Sequence, residues 1–177
     1  MKKKGFTLVE LLAVIAILAI LVIIALPNVM SLFNEAKKNS FNNELKEIYK
    51  TAQNQWITDS MIETKQLYYS RTDGNTALQC VSGTNNKTLQ LSGRTQLQYG
   101  ITVDRSGNVI EYVATDGTYM YQFHGDSNNA LKVEEIGTVT ATGETTGNAV
   151  VRLADYNKVS ATITCSGGAY TITGNAS

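Results

Sequence analysis

An apolar run at positions 6–26 constrains this chain more than any other feature, because its one formal charge is Glu10. A helix rises about 1.5 Å per residue, so roughly twenty residues span the ~30 Å hydrocarbon core of a bilayer. Lys2, Lys3 and Lys4 precede the run, and basic residues on that side predict a cytoplasmic N-terminus. The run therefore predicts a membrane-spanning helix.

The run differs from an ordinary secretory signal, which is removed together with a shorter apolar core. No small-residue cleavage site follows it at Pro27-Asn28-Val29-Met30, so the helix is predicted to remain in the mature protein. Gly5 lies between the lysines and the run. A small, flexible residue at this junction lets a membrane-facing peptidase reach extended backbone.

Residues 2–27 resemble the N-terminus of the type IV pilin superfamily, whose class III leader ends in basic residues and Gly, followed by Phe-Thr-Leu-Val-Glu. The chain reads KKKGFTLVE at positions 2–10. The resemblance implies cleavage between Gly5 and Phe6 by a prepilin peptidase, N-methylation of the Phe6 amine and polymerisation of the mature chain. It also implies an inner-membrane platform protein and a cytoplasmic assembly ATPase as partners.

Glu10 needs a compensating partner, because an acidic residue within a spanning helix costs up to about 2.5–3.5 kcal/mol. It lies four residues after Phe6, and helical side chains lean toward the N-terminus, where the freed amine would be. A Glu10–Phe6 pair would remove two unpaired charges from lipid, within one subunit or between two. The alternative is a glutamate that snorkels to the headgroups.

The helix is predicted to continue past Pro27 to about Ser60, with a bend near the membrane surface because proline lacks a backbone donor. Apolar residues then recur at spacings of three and four, which is typical of an amphipathic helix. They are Phe41, Leu45, Ile48, Ala52 and Trp56.

Beyond Ser60 the chain is rich in Thr, Gly, Asn, Gln and Tyr and alternates between apolar and polar residues, which predicts antiparallel β-structure. One apolar sheet face would pack on the helix and the other would be polar. The predicted elements are strands at 97–103, 108–115, 119–123, 159–165 and 170–173, with turns at 104–107, 116–117 (type I′) and 167–168.

The fold class is therefore α+β, with a long N-terminal helix packed on an antiparallel β-sheet head. Four regions are predicted: a cleaved leader at 1–5, a transmembrane or filament-core helix at 6–27, its amphipathic continuation at 28–60 and a β-rich head at 61–177. The order of strands, and residues 67–91 and 131–153, stay undetermined.

Cys80 and Cys165, the two cysteines, both lie in the part predicted to be exported. An oxidising compartment favours a disulfide. Closing a loop of about 85 residues would contribute about 4–5 kcal/mol by the chain-entropy estimate. A reactive thiol pair is the alternative, but the spacing is not CxxC.

No catalytic residue, cofactor or metal site is predicted, so the chain is predicted not to be an enzyme. It lacks HExxH, a Cys/His cluster, a nucleophile elbow and a phosphate-binding glycine loop. Its one histidine, His124, fits a structural or surface role. The oxygen-rich residues 126–129 lack the terminal Glu of an EF-hand loop and predict a turn.

Charge predicts no nucleic-acid partner. The chain has 15 Lys+Arg and 15 Asp+Glu. Lys37 and Lys38 would fit a nucleic-acid or lipid patch, but Glu35, Glu44 and Glu47 interleave with them, which favours a solvated face.

The sequence thus favours a type IV pilus subunit, a membrane precursor in the cell and an extracellular homo-oligomeric filament after assembly. Such filaments support adhesion, twitching motility, biofilm formation or DNA uptake. Two alternatives stay open within the superfamily, a minor pilin and a pseudopilin of a type II secretion or competence system. A surface-anchored binding module that does not polymerise is the alternative from another class.

Overall fold

A computed structural model describes residues 7–62, 65–72, 76–82, 86–92, 97–138, 149–153 and 161–174. The chain divides into two compact units, Met1–Asn39 and Ser40–Ser177. One long helix, α1 (Leu8–Asp59), contributes to both, and the β-structure belongs to the second. The α+β class is therefore confirmed.

The second unit contains, within the described residues, a six-stranded sheet, a separate two-stranded sheet and a 3-10 helix at Val133–Glu135. The strands are β1 (Leu67–Arg71), β2 (Asn86–Lys87), β3 (Gln98–Val103), β4 (Val109–Thr115), β5 (Tyr119–His124), β6 (Val151–Arg152), β7 (Thr162–Ser166) and β8 (Ala169–Thr173).

The larger sheet has the order β2-β1-β3-β4-β5-β6. The β1–β2 pair is parallel and the other pairs are antiparallel, so the predicted β3-β4-β5 meander is confirmed. The turn between β4 and β5 lies one residue later than predicted. The backbone N–H of Asp116 donates to the Tyr119 carbonyl oxygen (3.3 Å), and the Asp116 carboxylate accepts from Thr118 N. Gly117 and Thr118 therefore form the loop.

One face of this sheet packs on the helix, as the amphipathic pattern predicts. The hydroxyl of Tyr112 donates to the Leu45 carbonyl oxygen (2.9 Å), so the polar end of a buried ring is satisfied by the helix backbone. Each buried aliphatic or aromatic side chain contributes roughly 1.5–3 kcal/mol. The helix residues in this core are Phe41, Leu45, Ile48, Tyr49 and Ala52, and its sheet residues include Tyr69, Tyr99, Ile101, Tyr112, Ala114 and Tyr121.

The opposite face of the sheet is buried too, so the prediction of a polar outer face is wrong. Side chains alternate along a strand: on β4, Tyr112 and Ala114 belong to the helix-facing core, whereas Val113 packs with Ile163 and Tyr170 of the β7–β8 hairpin. Even Thr102, a polar residue of β3, has no exposed surface. The hairpin is therefore a third layer that covers this face.

Gly100 allows the β7–β8 hairpin to pack closely on the sheet. A Cβ at this position of β3 would lie 2.6 Å from Cε1 of Tyr170 and closer still to two other ring atoms. Tyr170 is fully buried, and its hydroxyl reaches the Tyr69 carbonyl oxygen (3.4 Å). The glycine therefore makes room for an aromatic ring directly against the backbone of a central strand.

The predicted hairpin of strands 159–165 and 170–173 forms over Thr162–Thr173, and residues 159–160 lie outside the described residues. Its turn is at Gly167 and Gly168, both in the left-handed region (φ 60° and 91°). A disulfide joins Cys80 to Cys165, with the Cα atoms 4.9 Å apart and 85 positions apart in the sequence. Gly168 N also donates to the Cys80 carbonyl oxygen (3.3 Å). Among the described residues the hairpin forms no backbone ladder with the larger sheet, and the disulfide joins it covalently to Cys80 through Cys165 of β7.

We expect the Cys80→Ser/Cys165→Ser variant to lose about 2–4 kcal/mol of unfolding free energy, because the unfolded chain regains the entropy of an 85-residue loop. Trp56, the one tryptophan, packs against the helix-facing core and reports unfolding by fluorescence during urea titration. The wild-type chain under reducing conditions is the control and should match the variant. An unchanged urea midpoint in both would contradict the expectation.

Candidate functional site

The first turn of α1 is closed by a reciprocal pair of side chains, Thr7 and Glu10. Glu10 Oε2 accepts hydrogen bonds from the backbone N of Thr7 (2.9 Å) and from its hydroxyl (2.8 Å). In return, Thr7 Oγ1 accepts from the backbone N of Glu10 (3.3 Å). This is a capping box, in which the residue before the helix and the third helical residue satisfy each other's free donors.

The capping box gives Glu10 a partner that the sequence analysis overlooked. The role of Thr7 was readable from the sequence, because Ser or Thr followed three residues later by Glu at the start of an apolar run is the signature of a capping box. The predicted processing residues Gly5 and Phe6 lie outside the described residues, as does the leader. The Glu10–Phe6 pair therefore stays a prediction.

The first unit presents its apolar side chains outward. Every large hydrophobic residue from Leu8 to Phe33 is about half exposed or more. By length and composition α1 is able to cross a membrane: its most apolar 18-residue window has a mean hydropathy of 3.2 and none of that window is buried. Pro27 lies inside α1 and does not end it. Such a surface needs another apolar environment.

The last turn of α1 carries a buried acid, Asp59, which is 5 % exposed. A carboxylate at a helix C-terminus is unfavourable with the helix dipole, and three donors compensate for it. They are Lys87 Nζ (2.8 Å), Gln55 Nε2 (3.1 Å) and Tyr69 OH (3.0 Å). Burial opposes ionisation, but these hydrogen bonds outweigh it and lower the pKa of Asp59. The cluster ties the end of the helix to β1 and β2.

We expect Lys87→Met to destabilise the protein by about 1–2 kcal/mol at pH 7, because it leaves the buried carboxylate of Asp59 with fewer donors. The folded pKa of Asp59 is depressed, so its contribution is present above the unfolded value of about 3.9 and lost as the pH falls through the folded value. Urea unfolding from pH 7 to pH 2 measures this dependence. The two chains should become equally stable at the acid end.

Lys50→Met is the matched control, because Lys50 is an exposed lysine on the same helix. It should change stability by less than about 0.5 kcal/mol at every pH. A pH-independent difference between Lys87→Met and wild type would show that packing of the lysine stem, not the charge pair, is responsible.

Other acids of the head close turns. Asp104 accepts hydrogen bonds from the backbone N of Ser106 (2.8 Å) and of Asn108 (2.9 Å). Burial opposes ionisation of Asp104, but these two bonds and a third from the Ser127 hydroxyl outweigh it and lower the pKa of Asp104. Asp126 accepts from the backbone N of Asn128 (2.8 Å), as an Asx turn does. Their oxygens face protein donors, which leaves them poorly placed to bind a cation.

The histidine of the head forms one pair, in which His124 Nδ1 lies 3.0 Å from Glu111 Oε1 across the β4–β5 ladder. Among the described residues no group of three or more His, Cys, Asp or Glu is arranged to hold a metal ion. The candidate functional site is therefore the start of α1, where the Glu10 carboxylate caps a helix whose apolar side chains are exposed.

Comparison with known proteins points to the same end of the chain. Residues 1–26 match the family model described as the prokaryotic N-terminal methylation motif. No curated protein and no solved structure matches the chain. The match includes Gly5, Phe6, Thr7 and Glu10 and ends before Pro27.

Proposed function

We infer from the class III leader of type IV pilins, which residues 1–26 carry, that the chain is a type IV pilin-like or pseudopilin precursor. We further propose that it is the subunit of a type IV pilus filament. The observation that carries this proposal is the exposed apolar surface of Leu8–Phe33, which begins within the motif and continues past its end. A surface of this kind is stable in lipid and in a bundle of identical helices, and polymerisation exchanges the first environment for the second.

Processing of the leader creates a new charged group next to Glu10. A prepilin peptidase cleaves between Gly5 and Phe6, and the amine of Phe6 is methylated and stays basic. This new cation lies one residue before Thr7, which already holds the Glu10 carboxylate through two hydrogen bonds. The pair forms within one subunit or between neighbours. In the second case a docked neighbour neutralises a charge that is costly in lipid, which favours side-by-side helices in a fixed register.

The regions of the chain then have separate roles. Residues 1–5 are the removed leader, residues 6–27 form the filament core, residues 28–60 connect the core to the head and residues 61–177 form the outer wall. Pro27 marks the change from core to connection. The disulfide between Cys80 and Cys165 protects the exported head.

Assembly requires partners beyond copies of the chain itself. The pilin-like leader implies a prepilin peptidase, and we propose an inner-membrane platform protein and a cytoplasmic ATPase besides. The precursor is placed in the inner membrane with its N-terminus in the cytoplasm, and the mature chain in an extracellular filament. Adhesion, twitching motility, biofilm formation and DNA uptake are the functions that such a filament serves.

The test is to shear cells that express the chain and to determine the N-terminus and amount of the released protein by mass spectrometry. An abundant chain that begins at N-methylated Phe6 is the expected result for a major subunit. A Gly5→Val precursor, which removes the small residue at the cleavage site, is the control and should leave no mature chain in the sheared fraction.

The same experiment separates the alternatives. Traces of mature chain beside another abundant subunit would indicate a minor pilin, and export that depends on a secretion machine would indicate a pseudopilin. Mature chain confined to membranes would support a surface-anchored binding module. An N-terminus at Met1, or well beyond Leu26, would overturn the proposal.

A further inference from the structure

The apolar surface of the first unit is longer than a bilayer core needs. Counted from Leu8 at about 1.5 Å per residue, the ~30 Å hydrocarbon core ends near Pro27. The chain nevertheless continues with exposed Val29, Met30, Leu32 and Phe33. Residues 29–33 rise roughly 7 Å further, which matches the thickness of one headgroup layer.

This extension is amphipathic. At about 100° per residue, Val29, Met30, Leu32 and Phe33 fall within an arc of roughly 160°. Glu35 projects from the opposite side of the helix at this spacing. Residues 29–38, here termed the anchor segment, therefore have one apolar side and one polar side.

Lys37 ends the apolar side of the anchor segment. Its ammonium group lies 4.6 Å from the centroid of the Phe33 ring, one turn back along the helix toward the apolar run. Lysine bends in this way at an interface, with its stem along apolar surface and its charge at the polar boundary. The cation–π contact holds the charge close to the level of Phe33.

Neither Lys37 nor the exposed Lys38 has a carboxylate partner in the part of the chain described. The sequence alone favours a solvated face for these lysines, because glutamates interleave with them. The helix separates Glu35 from Lys37, because residues two positions apart lie about 160° apart around the helix axis. Lys38 lies on the polar side of the anchor segment.

We propose that the anchor segment binds the anionic lipid headgroups of the extracytoplasmic leaflet while the subunit is stored in the membrane. Its apolar side enters the headgroup layer, Lys37 at the end of that side binds the negatively charged headgroups beside it, and Lys38 adds positive charge at the same level. This inference rests on the proposed membrane precursor and adds a lipid partner to it. The contact sets the depth of the stored helix, and assembly must break it when the subunit leaves the bilayer.

The test uses the full-length precursor, whose uncleaved leader keeps it from assembling, in nanodiscs at one copy per disc. Spin-labelled phosphatidylglycerol and phosphatidylcholine compete for its surface, and electron paramagnetic resonance gives their relative association constant. A lysine near a membrane surface favours anionic lipid by about fivefold. We therefore expect Lys37→Gln/Lys38→Gln to lower the preference for phosphatidylglycerol at least fivefold.

Lys46→Gln/Lys50→Gln is the matched control, with the same change of charge on the same helix about ten positions further on. It should keep the wild-type preference, and the leader lysines contribute equally in every chain. An unchanged preference in Lys37→Gln/Lys38→Gln, or an equal loss in the control, would overturn the inference. Sheared filaments of the wild-type chain test the proposed function separately, because the nanodisc measurement involves no filament.

Discussion

Replacing Glu10 by Val is expected to lower the yield of sheared filaments about a hundredfold while the chain still inserts into the membrane and is processed. The substitution removes a charge that costs up to about 2.5–3.5 kcal/mol in lipid, so insertion becomes easier. The same charge is what a neighbouring subunit would neutralise, and 2.7 kcal/mol corresponds to a hundredfold change in an equilibrium. Mass spectrometry of the sheared and membrane fractions measures both quantities.

Glu10→Gln and Thr7→Val separate the two roles that the structure gives to this carboxylate. Gln keeps an oxygen that accepts from Thr7 but has no charge, and Thr7→Val removes the capping hydroxyl but leaves the charge. We expect Glu10→Gln to fail as Glu10→Val does. Thr7→Val should cost only the roughly 1 kcal/mol of a lost helix cap. Normal filaments from Glu10→Gln would show that capping, not charge pairing, is the function of Glu10.

Replacing Gly100 by Val is expected to destabilise the head by about 3–4 kcal/mol. The added side chain would occupy the space of the Tyr170 ring, and neither a central strand nor a fully buried ring is free to move. Overpacking of a well-filled core typically costs about 1–3 kcal/mol and occasionally more, and a clash next to backbone belongs to the costlier cases. Urea unfolding followed by Trp56 fluorescence measures the loss.

A double-mutant cycle shows whether the ring is the cause. Tyr170→Ala alone should cost about 3–5 kcal/mol because it leaves a cavity. Added to Gly100→Val, it should cost far less, because the valine fills part of that space. Gly117→Ala is the control for glycine in general: its φ is +83° and nothing lies within 4 Å of an added Cβ, so about 1 kcal/mol of backbone strain is expected. Additive losses in the cycle would contradict the proposed contact.

The sequence predicted the helix well because its signals are local. An apolar run, followed by apolar residues at spacings of three and four, predicted one helix at 6–60, and α1 spans Leu8–Asp59. The β3-β4-β5 meander and the final hairpin followed from alternation and from turn residues such as Gly167 and Gly168. The β4–β5 turn was misplaced by one residue, because the carboxylate of Asp116 accepts from the loop backbone.

The candidate site was predicted in part. Glu10 stood out because a carboxylate within an apolar run is costly. Its partner Thr7 was overlooked although the spacing was readable. Asp59 and Lys87 could not have been paired beforehand, because they are 28 positions apart and meet only through the packing of the helix end on β1 and β2.

By itself, the sequence determined the length and apolar character of the helix, the alternating strands and the N-terminal motif, because each depends on residues within a few turns of one another. The tertiary structure alone decided that both sheet faces are buried. Alternation tells which residues share a face but not what covers it. Val113 and Gly100 look like ordinary strand residues until Tyr170, about 60 positions or more away, is placed on them.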